Sequence, residues 1–182
     1  MGMNRRKVLV GLGTIVAGGG VAFGSGAFSQ VSAQRTVTAE TKGDGNAYLD
    51  LSGDGDYVSS SGNQVEFTFN NLNENADSEF DDILTISVNA DPDSNDSIAN
   101  KYYIYFDDGV SGLGSSLALN FEEQNNSSTL VGSGNAVSIS YNSTNSSWGS
   151  VNVRAKFNLI NHDPNSIPEN VTIVADDTDP TN

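Results

Sequence analysis

The sequence contains no cysteine, which removes disulfides, thiol nucleophiles and thiolate metal sites together. Histidine occurs once, as His162, so a zinc site of the H-E-x-x-H type, which needs two histidines on one helix face, is excluded. A Ser-His-Asp triad would have to be built on His162. That residue sits in the turn-like run Asn161-His162-Asp163-Pro164, where a solvated surface role is the ordinary one. Cations are scarce as well: 8 Lys and Arg stand against 23 Asp and Glu in 182 residues, a formal charge of −15 at pH 7. Arg5, Arg6 and Lys7 are three of those eight and no acid precedes Glu40, so a chain cut before Phe28 keeps five cations against 23 acids, or −18. Such a surface repels phosphate backbones and anionic headgroups, which argues against nucleic-acid partners and electrostatic docking to a membrane. Carboxylates are abundant but show no spacing that marks a glycosidase pair. What the chain does have is 8 Phe, 6 Tyr and one Trp, enough aromatic area to anchor a core.

Residues 1–33 have the grammar of an export signal. Asn4-Arg5-Arg6-Lys7 is a cationic head, and Val8 to Ala27 carries no charged side chain. Small residues at Ser25-Gly26-Ala27 and Val31-Ser32-Ala33 offer cuts after 27 or after 33. Arg5 and Arg6, followed by Lys7-Val8-Leu9, resemble a twin-arginine address, read by a receptor for substrates that fold before export. The glycines of Val8 to Ala27 fit that route, since they weaken a helix. The alternatives are an ordinary positive signal head and a retained membrane anchor, as 20 uncharged residues can span a bilayer. Gly11-Leu12-Gly13 and Gly18-Gly19-Gly20 have neither the preceding strand nor the following acid of a nucleotide loop.

Beyond the signal the pattern is that of strands. Thr36–Glu40, Ala47–Leu51 and Val65–Phe69 alternate apolar and polar side chains, as half-buried strands do. Phe80–Asn89 continues with Ile83 or Leu84, then Ile86 and Val88, and Lys101–Phe106 has the aromatic and β-branched content of a buried strand. Leu117–Phe121, Ala136–Tyr141, Ser150–Leu159 and Asn170–Ala175 complete the set, and no window after Arg35 keeps a 3.6-residue apolar stripe. The expected fold is all-β: an antiparallel two-sheet β-sandwich, jelly-roll or Ig-like, over 34–175, preceded by a signal helix and followed by an acidic flexible tail at 176–182.

The connections expected at Gly53–Asn63, Ala90–Asn100 and Asn142–Ser147 are rich in Asn, Asp and Ser and belong on the surface. Glycosylation triplets begin at Asn95, Asn125, Asn126, Asn142, Asn145 and Asn170; the candidates chosen for their loop setting are Asn95, Asn142 and Asn145. Asp91, Asp93 and Asn95 imitate the start of a calcium loop, but Asp96 replaces the turn glycine and Tyr102 stands where the bidentate Glu belongs. Hydrated surface is the plain role of these acids, calcium the alternative, and no other cofactor is expected. The acid excess itself suits brine, where molar salt screens charge repulsion within about 3 Å.

Gly24 to Leu51, with Gly24-Ser25-Gly26-Ala27-Phe28, then Arg35-Thr36-Val37-Thr38 and Ala47-Tyr48-Leu49, resembles the opening of a family of exported proteins of unknown function from halophilic archaea. Phe80–Ile86 and Val171–Ala175 resemble that family's central and last strands. More distantly, a short signal ahead of a small β-sandwich is similar to the TasA and camelysin group and the archaeal bundling pili. That resemblance implies a filament in which the mature N-terminal segment of one subunit enters the sandwich of the next. Its candidates here are Phe28, Val31, Ala33, Val37 and Ala39, with Arg35 breaking the apolar face. The competing expectation is that Thr36–Glu40 pairs within its own domain as a first edge strand. Two functions follow. One is a noncatalytic cell-surface or matrix subunit whose partner is itself or a related surface protein. The other is a monomeric secreted or anchored binding module, glycosylated or calcium-stabilised.

Overall fold

The computed structural model describes residues 32–43, 49–53, 55–61, 64–89 and 99–181. Eleven strands follow in chain order: β1 (Ser32–Gly43), β2 (Leu49–Gly53), β3 (Val58–Ser61), β4 (Gln64–Asn73), β5 (Asp77–Val88), β6 (Lys101–Phe106), β7 (Leu119–Glu123), β8 (Val137–Asn142), β9 (Ser147–Trp148), β10 (Ser150–Asn158) and β11 (Asn170–Asp176). They form two sheets, one ordered β3-β4-β1-β11-β6-β8-β9 and the other β2-β5-β10-β7. The expected all-β sandwich is therefore the observed fold.

Alternation puts the core where the sequence pattern placed it. Val151, Val153, Ala155 and Phe157 of β10 are buried while the residues between them are half-buried. Val171, Ile173 and Ala175 do the same on β11, since successive side chains leave opposite faces of a strand. Rings from the two sheets interlock between the layers. Phe106 of β6 stacks on Phe121 of β7 at 4.1 Å between centroids, and Phe69 of β4 meets Phe157 of β10 edge-on at 4.7 Å. Contacts of this kind contribute about 0.5–1.5 kcal/mol each beyond their buried area.

The ambiguity between Ile83 and Leu84 resolves as both. Val153 pairs with Leu84 and Ala155 with Phe80, so β5 has extra residues there, and Asp82 takes a left-handed φ of 50°. That bulge lets two consecutive apolar side chains, each 0% exposed, enter the core.

One side of the sandwich is sealed by a segment that belongs to neither sheet. Leu130 N–H donates to the Phe121 carbonyl at 2.8 Å, and Phe106 N–H donates to the Leu130 carbonyl at 2.8 Å. Gly132 N–H then donates back to the Phe106 carbonyl, also at 2.8 Å. The edges of β7 and β6 are thus joined through Thr129–Gly132, and Leu130 is 0% exposed.

Two expectations change. Gly53–Asn63 is not all loop, because β3 pairs with β4 within it; its run Val58-Ser59-Ser60-Ser61 has a single apolar residue and so no visible alternation. The first strand is not an edge strand either. β1 lies between β4, antiparallel, and β11, parallel.

Candidate functional site

Strand β1 is the first element of the compact unit that begins at Ser32. Its register runs Val37↔Phe67 and Ala39↔Val65 on the β4 side and Thr38↔Asn170 to Gly43↔Ala175 on the β11 side. Val37 and Ala39 are both 0% exposed in the core, whereas Thr36 is exposed and Thr38 half-buried. Burial of a valine side chain is worth about 1.5–3 kcal/mol, so the strand is a full member of the core. It also joins β4 to β11 in the larger sheet. Of the donor-strand candidates, Val37 and Ala39 fill this slot in their own domain. Ala33 lies on the same strand opposite Leu72, and Phe28 and Val31 fall outside the described residues.

The two halves of β1 are held differently. Among the described residues, Thr38–Glu40 pairs on both sides, Thr41–Gly43 with β11 alone and Ser32–Val37 with β4 alone. Beside that half lies a recess of about 430 Å³ lined by Thr36, Thr38, Asn165, Ile167, Glu169 and Asn170. Its wall is the loop after β10, built on a 3-10 turn at Pro164–Ser166 that Asp163 caps by accepting from Asn165 N–H at 2.8 Å. Gly112 buttresses this loop from behind: it has φ 90°, and a Cβ there would overlap the Ser166 carbonyl oxygen, so only glycine fits.

The cut expected after Ala27 would leave Phe28–Val31 ahead of β1, whereas the cut after Ala33 would fall inside the strand. Arg5 and Arg6 lie outside the described residues. Among the described residues, no helix is long and apolar enough to cross a membrane.

His162 is half-buried, and its Nδ1–H donates to the Asn158 carbonyl at 3.0 Å. The neighbouring Asp163 carboxylate is occupied by the cap. Asp91, Asp93 and Asn95 lie in 90–98, outside the described residues; among those described, no three His, Asp or Glu converge as a metal site. Asn142 and Asn145 sit on the exposed β8–β9 hairpin. Asn142 Oδ1 accepts from Thr144 N–H at 3.0 Å, and Asn145 Oδ1 accepts from the Ser147 hydroxyl at 2.8 Å. By contrast, the Asn126 amide already donates to Glu123 at 2.6 Å.

Sequence reasoning passed over a polar patch on the outer face of the smaller sheet. Asn120 and Glu122 alternate with Leu119 and Phe121 along β7, and they are only 3% and 8% exposed. Asn120 donates to Glu122 at 2.9 Å and accepts from the Thr129 hydroxyl at 2.7 Å, so the sealing segment is pinned to β7 by side chains as well. Beside them on β10, Arg154 pairs with Asp81 at 3.0 Å and Lys156 with Glu79 at 3.0 Å. The hydrogen bond that Lys156 donates to Glu79, then the charges of Glu122 and Glu79, hold the Lys156 ammonium above its ordinary range. On the larger sheet, burial and then the acids Asp176, Asp107 and Asp108 push the Tyr105 phenol up.

Neither the known protein families nor the curated proteins contain a match to this sequence.

Proposed function

We infer that this chain is an exported, noncatalytic structural subunit of a cell surface or extracellular matrix, assembled head to tail by donation of its N-terminal strand. What carries the reading is the place of β1: the first described strand of the chain is also the link between β4 and β11 and supplies Val37 and Ala39 to the core. A strand at the start of the described chain that supplies core side chains is one that a second copy can supply equally well. Because the donor of each contact is itself an acceptor elsewhere, the association does not close and grows as a filament. Support for the setting comes from the cationic head with Arg5 and Arg6, the charge of −18 beyond Ala27 and the resemblance to TasA-like and bundling-pilus proteins. Asn142 and Asn145, presented on a projecting hairpin, are the glycan acceptors in this reading; mass spectrometry of the native chain tests them.

The interior position of β1 shapes the experiment. A chain lacking 28–43 should be unable to complete the larger sheet alone, and should fold when a synthetic peptide of residues 32–43 is added. Failure of the peptide to restore β-sheet circular dichroism would count against donation.

The second reading, a monomeric surface module, is favoured by the same strand seen the other way, since β1 satisfies its own domain. One monomeric peak on a sizing column at molar salt, from a chain with its mature N-terminus intact, would decide for it.

A further inference from the structure

We propose that the saccharide carried by Asn142 lies back along the outer face of the larger sheet and is held there by Tyr103 and Tyr105. The proposal rests on Asn142 being a glycan acceptor and names the surface on which that glycan rests. Along β8, Ser138, Ser140 and Asn142 are exposed while Ile139 between them is buried, so the three share the outer face. Asn142 Oδ1 accepts from Thr144 N–H at 3.0 Å, which ties the carboxamide to the hydroxyl residue of its own triplet. The neighbouring strand β6 sets Lys101 opposite Ser140 and Tyr103 opposite Ser138. Tyr103 and Tyr105 are half-buried and alternate with the buried Tyr102 and Ile104, so both rings belong to the face that carries Asn142.

The surface between acceptor and rings suits a sugar chain. Ser140 and Ser138 are small and exposed, and the row of Tyr103 lies about 13 Å along the strand from Asn142, a distance that a short oligosaccharide spans. A pyranose presents an apolar C–H face with hydroxyls around it, and tyrosine presents the matching pair, a flat apolar ring with a polar tip. Tyr103 has Ser138 across from it on β8 and Asp176 across from it on β11, so a hydroxyl on either side of a sugar over the ring meets a polar partner. Burial and then Asp176, Asp107 and Asp108 push the Tyr105 phenol up, which keeps its O–H as a donor. The same acids select a neutral saccharide: a uronic or sulfated unit is repelled here, and so is a second copy of a chain this acidic. The Lys101 ammonium stands 5.8 Å from the Tyr103 centroid, near the limit of roughly 6 Å for a cation–π contact. It is exposed and free to turn from the ring to a sugar oxygen.

Hydroxyl-radical footprinting reads the cover over these rings. The full chain is expressed in its native host and collected after export, and mass spectrometry reports both the Asn142 glycopeptide and the oxidation of each tyrosine. Tyr103 should be protected in the wild type and oxidised several-fold faster in Asn142→Gln, a change at an exposed position that leaves the fold intact. Tyr57, which packs against Phe69 and Phe80 beside the far edge strand of the sheet, should react equally in both. Asn145→Gln keeps the Asn142 triplet and should leave Tyr103 protected. A native chain with no glycan on Asn142 overturns the acceptor and the docking together. A glycan on Asn142 with equal oxidation of Tyr103 in wild type and Asn142→Gln overturns the docking and leaves the acceptor standing. A parallel rise at Tyr57 marks a loosened fold and overturns the docking as well. Release of Tyr103 by Asn145→Gln does the same, since it assigns the cover to the other glycan.

Discussion

Two strand margins in this sandwich are finished in opposite ways. At β7 the segment Thr129–Gly132 caps the edge with backbone hydrogen bonds, a fully buried Leu130 and the Asn120–Thr129 side-chain bond. At the N-terminal half of β1 the ladder stops at Thr38 and a recess is left. Open strand edges invite pairing with other chains, and proteins ordinarily blunt them. Among the described residues, one margin is covered by dedicated residues and the other is left uncovered at Ser32–Val37.

The largest test of the contrast lies inside β1. Val37→Asp places a carboxylate in the core opposite Phe67, and should unfold the domain, a loss of about 3–5 kcal/mol or more by denaturant titration. Next comes the sealed margin: Leu130→Pro removes the N–H that holds Phe121 and should cost about 3 kcal/mol. Asn120→Ala, which leaves Glu122 and Thr129 without their shared partner, should cost about 1–3 kcal/mol in the same titration. Smallest is Thr36→Pro at the open margin, with a stability change under about 1 kcal/mol. If Thr36→Pro destabilised as much as Leu130→Pro, the two margins would not differ and the open edge would be an ordinary ladder.

The outer faces differ as well, and pH reads the difference. Lys156 is held above its ordinary 10.5 first by its hydrogen bond with Glu79, and Tyr105 above its ordinary 10.0 first by burial, then by Asp176, Asp107 and Asp108. In both cases the folded chain binds the proton more tightly than the unfolded one. Their contributions are therefore complete below about pH 10 and are lost as pH rises through the folded values. Thermal midpoints should fall from about pH 10 upward, and Tyr105→Phe should shallow that fall. Molar salt should mute the share that comes from neighbouring charges.

Most of the fold was legible because alternation survives in single strands: Lys101–Phe106 coincides with β6, and Ser150–Leu159 contains β10. β3 and β9 were missed, the one because three serines follow its only apolar residue, the other because two residues carry no period. The placement of β1 was not legible at all. Parallel pairing of Thr38 with Asn170 joins residues 132 positions apart, and no local pattern encodes such a partner. The burial of Glu122 was not legible either, because it depends on the turn that brings Thr129 opposite Glu122 and on the Asn120 side chain that donates to its carboxylate. The open half of β1 depends on where β11 begins, which in turn depends on the loop that Asp163 caps and Gly112 supports.

Strand donation is tested most directly by the state of the exported chain itself, purified in molar salt and viewed by negative-stain electron microscopy, with its N-terminus read by mass spectrometry. Filaments built from chains that begin at Phe28 are the expected result. A monodisperse monomer with that same N-terminus would contradict it.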